Sequence, residues 1–273
     1  MTQTPHDQLA KQYLEEFLAP FGVVQRQYEV PGETKFIDVW FVPQMMNIPT
    51  DDLGLLGKMV QKPCLLEPYR NVPTRTEVRV SVMKLVWVQE DERRKAQKDE
   101  LPEDAQPLLW ILAATTSKPL LQDANAVIQP DWLPGVYFTA NLFKTAIVAI
   151  DQLPETDETL WLRVLGRGKT QEQAIREVLA LPSTHPRRNT ILRLLASWRV
   201  RIDVGELADF NDREELMALS EAFLTWEKEK ETQTKITIAL NMLRKNISLE
   251  TIAEVTGLDI EQVQQLQSQT NQN

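Results

Sequence analysis

The chain has 273 residues, 42% hydrophobic and 25% charged, close to globular averages; this excludes wholesale disorder and leaves room for one large domain with an appendage or for two small ones. A single cysteine, Cys64, excludes an internal disulfide or a thiolate metal cluster within one chain, and two histidines leave little room for structural zinc. A net charge of −9 repels phosphate backbones, so any nucleic-acid contact has to come from a local basic patch.

From His6 to Pro20, apolar residues at Leu9, Tyr13, Leu14, Phe17 and Leu18 have helical spacing, and Gly22 ends that helix. "VVQRQYEV" and "TKFIDVWFVP" read as two strands of a hairpin closed by Pro31-Gly32. "QMMNIPTDDLGLLGKMVQ" reads as a loop with at most one helical turn. "KPCLLEPYRN" is a third strand, followed by a long helix capped at Thr74 or Thr76 that passes through Lys84 and Trp87 into a solvated charged run. "PLLWILAATT" is a fourth strand, apolar enough for burial on both faces, and "GVYF" and "KTAIVAIDQLP" supply two short ones. After Pro154 the spacing is helical to the end. The expected organisation is an α/β core over residues 1–153, a helical extension over 154–205 and a helical tail over 206–273.

Within this frame, Asp38 stands mid-strand in "FIDVWF" and Glu67 directly follows two leucines in "LLEPYRN". A carboxylate in an apolar strand needs a partner or a task. For Asp38 the plain reading is a bond to a loop amide or a pair with Lys35. For Glu67 it is an ion pair with Arg70, Arg75 or Arg79 that anchors the next helix.

The order helix, three strands, helix, strand, with Asp38 on the second strand and Glu67 on the third, resembles the PD-(D/E)XK nuclease superfamily. The likeness is greatest to its recombination-promoting nuclease and transposase-related group, through "HDQLAK" at the first helix, "FIDVWF", "LLEPYRN" with the helix "TEVRVSVMKLV", and the tail "MLRKNISLETIAEVTGLDIEQVQQL". The resemblance covers about residues 6 to 115 and the tail. It implies a restriction-endonuclease-like core with a helical C-terminal extension, Asp38 and Glu67 as Mg²⁺ ligands, and hydrolysis of DNA phosphodiester bonds, with Glu15 or Glu16 as a further carboxylate. The chain departs from the family pattern at Tyr69. This residue shares the face of Glu67 and stands where the family has Lys or Gln, but a phenol titrates near 10 and brings no positive charge near pH 7. Arg70 is adjacent but strand alternation points it to the other face unless Pro68 distorts the backbone, and Lys84 or Arg79 on the following helix can supply a charge instead.

Other motifs are weaker. His6 reads as a helix-start residue. "GRGKT", Gly166 to Thr170, lacks the glycine of a phosphate loop, since Arg163 occupies that place, and Thr170 with Gln173 reads as a capping box. "SLETIAEVTGLDIEQVQQLQ" has helix-turn-helix shape, with Ser248 as first cap, Gly257 at the turn, and Asp259 with Gln262 as second cap. From Ile247 to Asn273 it carries no Lys or Arg, which favours packing or self-association over DNA reading. "HPRRN" with Arg193, Arg199 and Arg201 is the compact basic cluster, a phosphate patch or a solvated helix start. Two functions are therefore expected: a Mg²⁺-dependent endonuclease, or an inactive nuclease-like core that binds a protein partner or itself through its C-terminal helices. Because no apolar run approaches the roughly 18 residues of a membrane span, and the N-terminus lacks a charged-then-apolar leader, the expected location is the cytoplasm.

Overall fold

A computed structural model describes residues 5–30, 35–45, 47–97, 99, 101–201 and 212–270. Helix α1 (Pro5–Leu18) leads through a short 3-10 turn into strand β1 (Gly22–Val30), which pairs antiparallel with β2 (Lys35–Pro43). The Pro31-Gly32 turn lies outside the described residues. The segment expected to be loop with one helical turn folds into two short helices, α2 (Thr50–Leu53) and α3 (Leu55–Met59), because Leu53, Leu55, Leu56 and Met59 bury their side chains. Strand β3 (Cys64–Tyr69) follows, then α4 (Arg75–Lys95), β4 (Leu108–Ala113), α5 (Lys118–Asp123), β5 (Val136–Phe138) and β6 (Thr145–Ala149). Helix α5 was not anticipated; Ser117 caps it by accepting the Leu120 N–H.

The strands form one mixed six-stranded sheet in the order β1-β2-β3-β4-β6-β5. Strand β2 runs antiparallel to both β1 and β3, β4 is parallel to β3 with α4 as the crossover, and β6 is parallel to β4. This is an α/β fold. Against α4 the sheet presents Ile37, Trp40, Leu65, Leu109, Ile111 and Ile147, which pack on Leu85 and Val88 of the helix. Helix α4 starts where the sequence indicates: Thr74 and Glu77 make a reciprocal capping box, with the Glu77 carboxylate accepting the Thr74 N–H at 2.7 Å.

Helices α6 (Leu160–Arg163), α7 (Lys169–Ala180) and α8 (Pro186–Arg201) follow. The expected Thr170 cap is absent; Gly168, with φ 54°, caps α7 without a side-chain bond, and Gln173 turns instead to Glu177. Arg163 is fully buried and ties α6 to α7 through both oxygens of Glu177, at 2.6 and 2.9 Å. Helix α8 packs on α1.

The chain divides into two compact units, Met1–Leu219 and Ser220–Asn273. In the second, the end of α9 (Asp212–Arg244) packs with α10 (Leu249–Thr256) and α11 (Ile260–Thr270) around Ala239, Ile252, Leu258 and Val263. Ser248 caps α10, Gly257 ends it in the left-handed conformation, and the Asp259 N–H binds the Gln262 side chain, as the sequence pattern indicates. Among the described residues no helix is long and apolar enough to cross a membrane.

Candidate active site

The β2–β3 ladder runs Phe41–Cys64, Trp40–Leu65, Val39–Leu66 and then stops. One step further stand Asp38 and Glu67, and beyond Glu67 comes Pro68, which has no N–H to continue the ladder. The strands therefore fork at these two acids. The Asp38 N–H turns to the Glu67 carboxylate at 3.4 Å, replacing a ladder bond by a backbone-to-side-chain contact. On the other side of Asp38, Gln27 lies between the paired residues Arg26–Val39 and Tyr28–Ile37 with φ 54°, an uncommon conformation for a residue with a side chain.

Strand alternation points Leu65, Glu67 and Tyr69 toward α4, and the three-to-four-residue spacing of Ser81, Lys84 and Val88 points these back at the sheet. Lys84 Nζ accordingly donates to both oxygens of Glu67, at 2.8 and 3.0 Å. Both side chains are deeply buried, Glu67 at 1% and Lys84 at 5% exposure. The partner is thus Lys84 and not Arg70, Arg75 or Arg79; Arg75 pairs with Asp123 instead. Burial, reinforced by the negative charge of Asp38, raises the Glu67 carboxyl well above its usual range, and Lys84 only partly opposes this. Asp38 is paired with Lys11 of α1 at 2.7 Å.

Tyr69 stands beside Glu67, half-buried, with its hydroxyl 2.8 Å from Ser81 Oγ. Burial and the neighbouring Glu67 raise the phenol further above 10, so it stays protonated as a hydrogen-bonding group. Glu15 is tied to Arg26 at 2.9 Å and Glu16 to Arg193 at 3.3 Å.

Lys11 is the member of the site that the sequence reading missed. The signal was present: Lys11 lies three and seven residues before the buried Leu14 and Leu18, on the apolar stripe of α1. A lysine there has to find a buried carboxylate. The basic cluster after His185 is largely spent on internal contacts. Arg187 binds Asp52 and covers the Phe17 ring at 4.7 Å, while Arg188 donates to the Leu179 carbonyl at 3.2 Å. The side chains of His6, Lys35, Arg199 and Arg201 lie outside the described residues.

No cluster of three or more His, Cys, Asp or Glu arranged for a metal occurs among the described residues. The donor chemistry of Asp38 and Glu67 nevertheless fits Mg²⁺, which takes one or two protein carboxylates and completes its shell with waters and substrate phosphate. Compared with protein-family models, curated proteins and solved structures, the chain matches none.

Proposed function

We propose that the chain is a Mg²⁺-dependent DNA endonuclease built on a restriction-endonuclease-like core, with Asp38, Glu67 and Lys84 as its centre. The observation that carries this reading is the convergence of Asp38 and Glu67 at the fork of β2 and β3, with the Lys84 ammonium 2.8 Å from Glu67. The antiparallel β1-β2-β3 followed by parallel β4 supports the same reading. Asp38 and Glu67 would hold the ion. When bound, it supplies Lewis-acid polarisation of a phosphoryl oxygen and a hydroxide nucleophile at neutral pH.

The residues of the chain do the rest. Lys84 brings from α4 the positive charge that Tyr69 cannot bring from β3, and its place beside Glu67 suits it to orient a water and stabilise charge developing on phosphate. Tyr69, held by Ser81, keeps one wall of the site fixed. The second reading, an inactive core serving as a protein-interaction module, is favoured by one feature: both carboxylates already hold lysines inside the protein.

Titration of the purified protein with Mn²⁺ and incubation with supercoiled plasmid separate the two. The endonuclease reading expects metal binding and nicking, both lost in Asp38→Ala and with nicking lost in Lys84→Met. Absence of metal binding at millimolar Mn²⁺ removes it and leaves the interaction module.

A further inference from the structure

Asp38, Glu67, Lys11 and Lys84 form one connected run of charges. Lys11 Nζ lies 2.7 Å from Asp38, the Asp38 N–H contacts Glu67, and Glu67 holds Lys84 at 2.8 Å. In their ionised forms the two acids and two lysines cancel. A divalent ion entering that cluster with both ammoniums in place leaves two excess positive charges in a partly dehydrated site, a costly arrangement. Releasing one ammonium lowers the excess to one, which the single negative charge of a phosphodiester then neutralises.

The two pairs are not equivalent candidates for release. The Glu67 and Lys84 side chains are 2% and 6% exposed, and Nζ bonds both carboxylate oxygens. Asp38 is 20% exposed and Lys11 8%, so this pair lies nearer to solvent. A lysine is a compact charge on a flexible four-carbon stem and can swing outward without moving its helix.

We propose that Lys11 is the resident cation of the site and that a divalent ion displaces it from Asp38, leaving one positive charge for a phosphodiester to neutralise. This rests on the metal-dependent reading above. The test is Mn²⁺ titration of the full chain, followed by the spectroscopic signal of free Mn²⁺, for wild type, Lys11→Gln and Asp38→Asn. Lys11→Gln is expected to bind Mn²⁺ roughly tenfold more tightly than wild type, and Asp38→Asn not at all. Wild-type binding that Lys11→Gln leaves equal or weakens overturns the displacement and spares the endonuclease. Absence of binding in both overturns the two together. Because Lys11→Gln strips Asp38 of its partner and can impair folding, a second measurement uses wild type alone: acylation of lysines by a small amine-reactive ester, read by mass spectrometry. Mn²⁺ is expected to speed acylation of Lys11 several-fold and to leave the exposed Lys62 unchanged. Unchanged labelling of Lys11 in protein that binds Mn²⁺ overturns the proposal.

Discussion

Glu67 carries two opposing forces, loss of water and the nearby Lys84, and their balance makes it pH-sensitive. Its carboxyl is raised from 4.5 to about 8, with burial the larger cause and Asp38 next. The folded state therefore binds a proton that the unfolded state has released between those two values. The stability this contributes is fully present below the unfolded value and is lost as pH rises through about 8. Unfolding free energy from urea titrations is expected to fall from about pH 5 to about pH 8, and Glu67→Gln is expected to flatten that slope. Equal slopes in the two proteins would contradict the assignment. Lys84→Met removes the cation that opposes burial of Glu67 and is expected to cost up to about 3–5 kcal/mol well above pH 8, where the wild-type carboxyl is ionised, and less at about pH 5, where Glu67 carries a proton in both proteins. Addition of Glu67→Gln to Lys84→Met is expected to recover most of that loss. A cost independent of pH would show that Lys84 acts through packing of its stem alone. The acids were legible in the sequence because each interrupts an apolar run, and Lys84 was legible as a charge the next helix could supply; which acid each lysine pairs with was not. Pairing Lys84 with Glu67 across 17 positions, and Lys11 with Asp38 across a helix and two strands, needs the third dimension.

Helix α4 carries Lys84 against the sheet and starts at the Thr74–Glu77 capping box, ten residues before that lysine. Thr74→Ala removes one side of the capping box and is expected to cost about 1 kcal/mol in urea unfolding; no loss would show that tertiary packing alone sets the start of the helix. The joint between α2 and α3 depends on backbone contact. At Gly54, φ is 56° and an added Cβ would meet the Glu158 carbonyl oxygen at 2.1 Å, whereas at Gly168, φ is 54° with nothing within 4 Å. Gly168→Ala is expected to cost about 1–3 kcal/mol for its positive-φ backbone, with ψ at −131°, and Gly54→Ala clearly more, for the collision. Equal costs would mean that the α2–α3 corner shifts freely away from Glu158. These elements also mark what the sequence could specify. Apolar spacing and caps gave the order from α1 to β4, and Ser248 and Gly257 gave the ends of α10, because those signals are local. Helices α2, α3 and α5 are four to six residues long, too short for a periodic signal, and owe their form to burial against the rest of the chain.

An acidic chain that acts on DNA has to overcome its own field. With 39 acidic and 30 basic residues, and with Arg187 and Arg188 turned to internal partners, long-range attraction to a duplex is expected to be weak. If the endonuclease reading holds, a metal ion at Asp38 and Glu67 supplies a local positive charge to meet one phosphate. Binding of a fluorescent duplex, measured by anisotropy at about 0.1 M salt, is then expected to be marginal in chelator, to strengthen on addition of Mn²⁺ and to vanish in Asp38→Asn. The dependence on monovalent salt is expected to be shallow, a slope of about −1 to −2 in log K against log salt, because few phosphates are neutralised. Tight binding that ignores chelator and falls steeply with salt would instead locate the contact on a basic surface away from the carboxylates. The tail argues in the same direction: from Ile247 onward it holds no Lys or Arg, so α10 and α11 add no cation to a duplex interface.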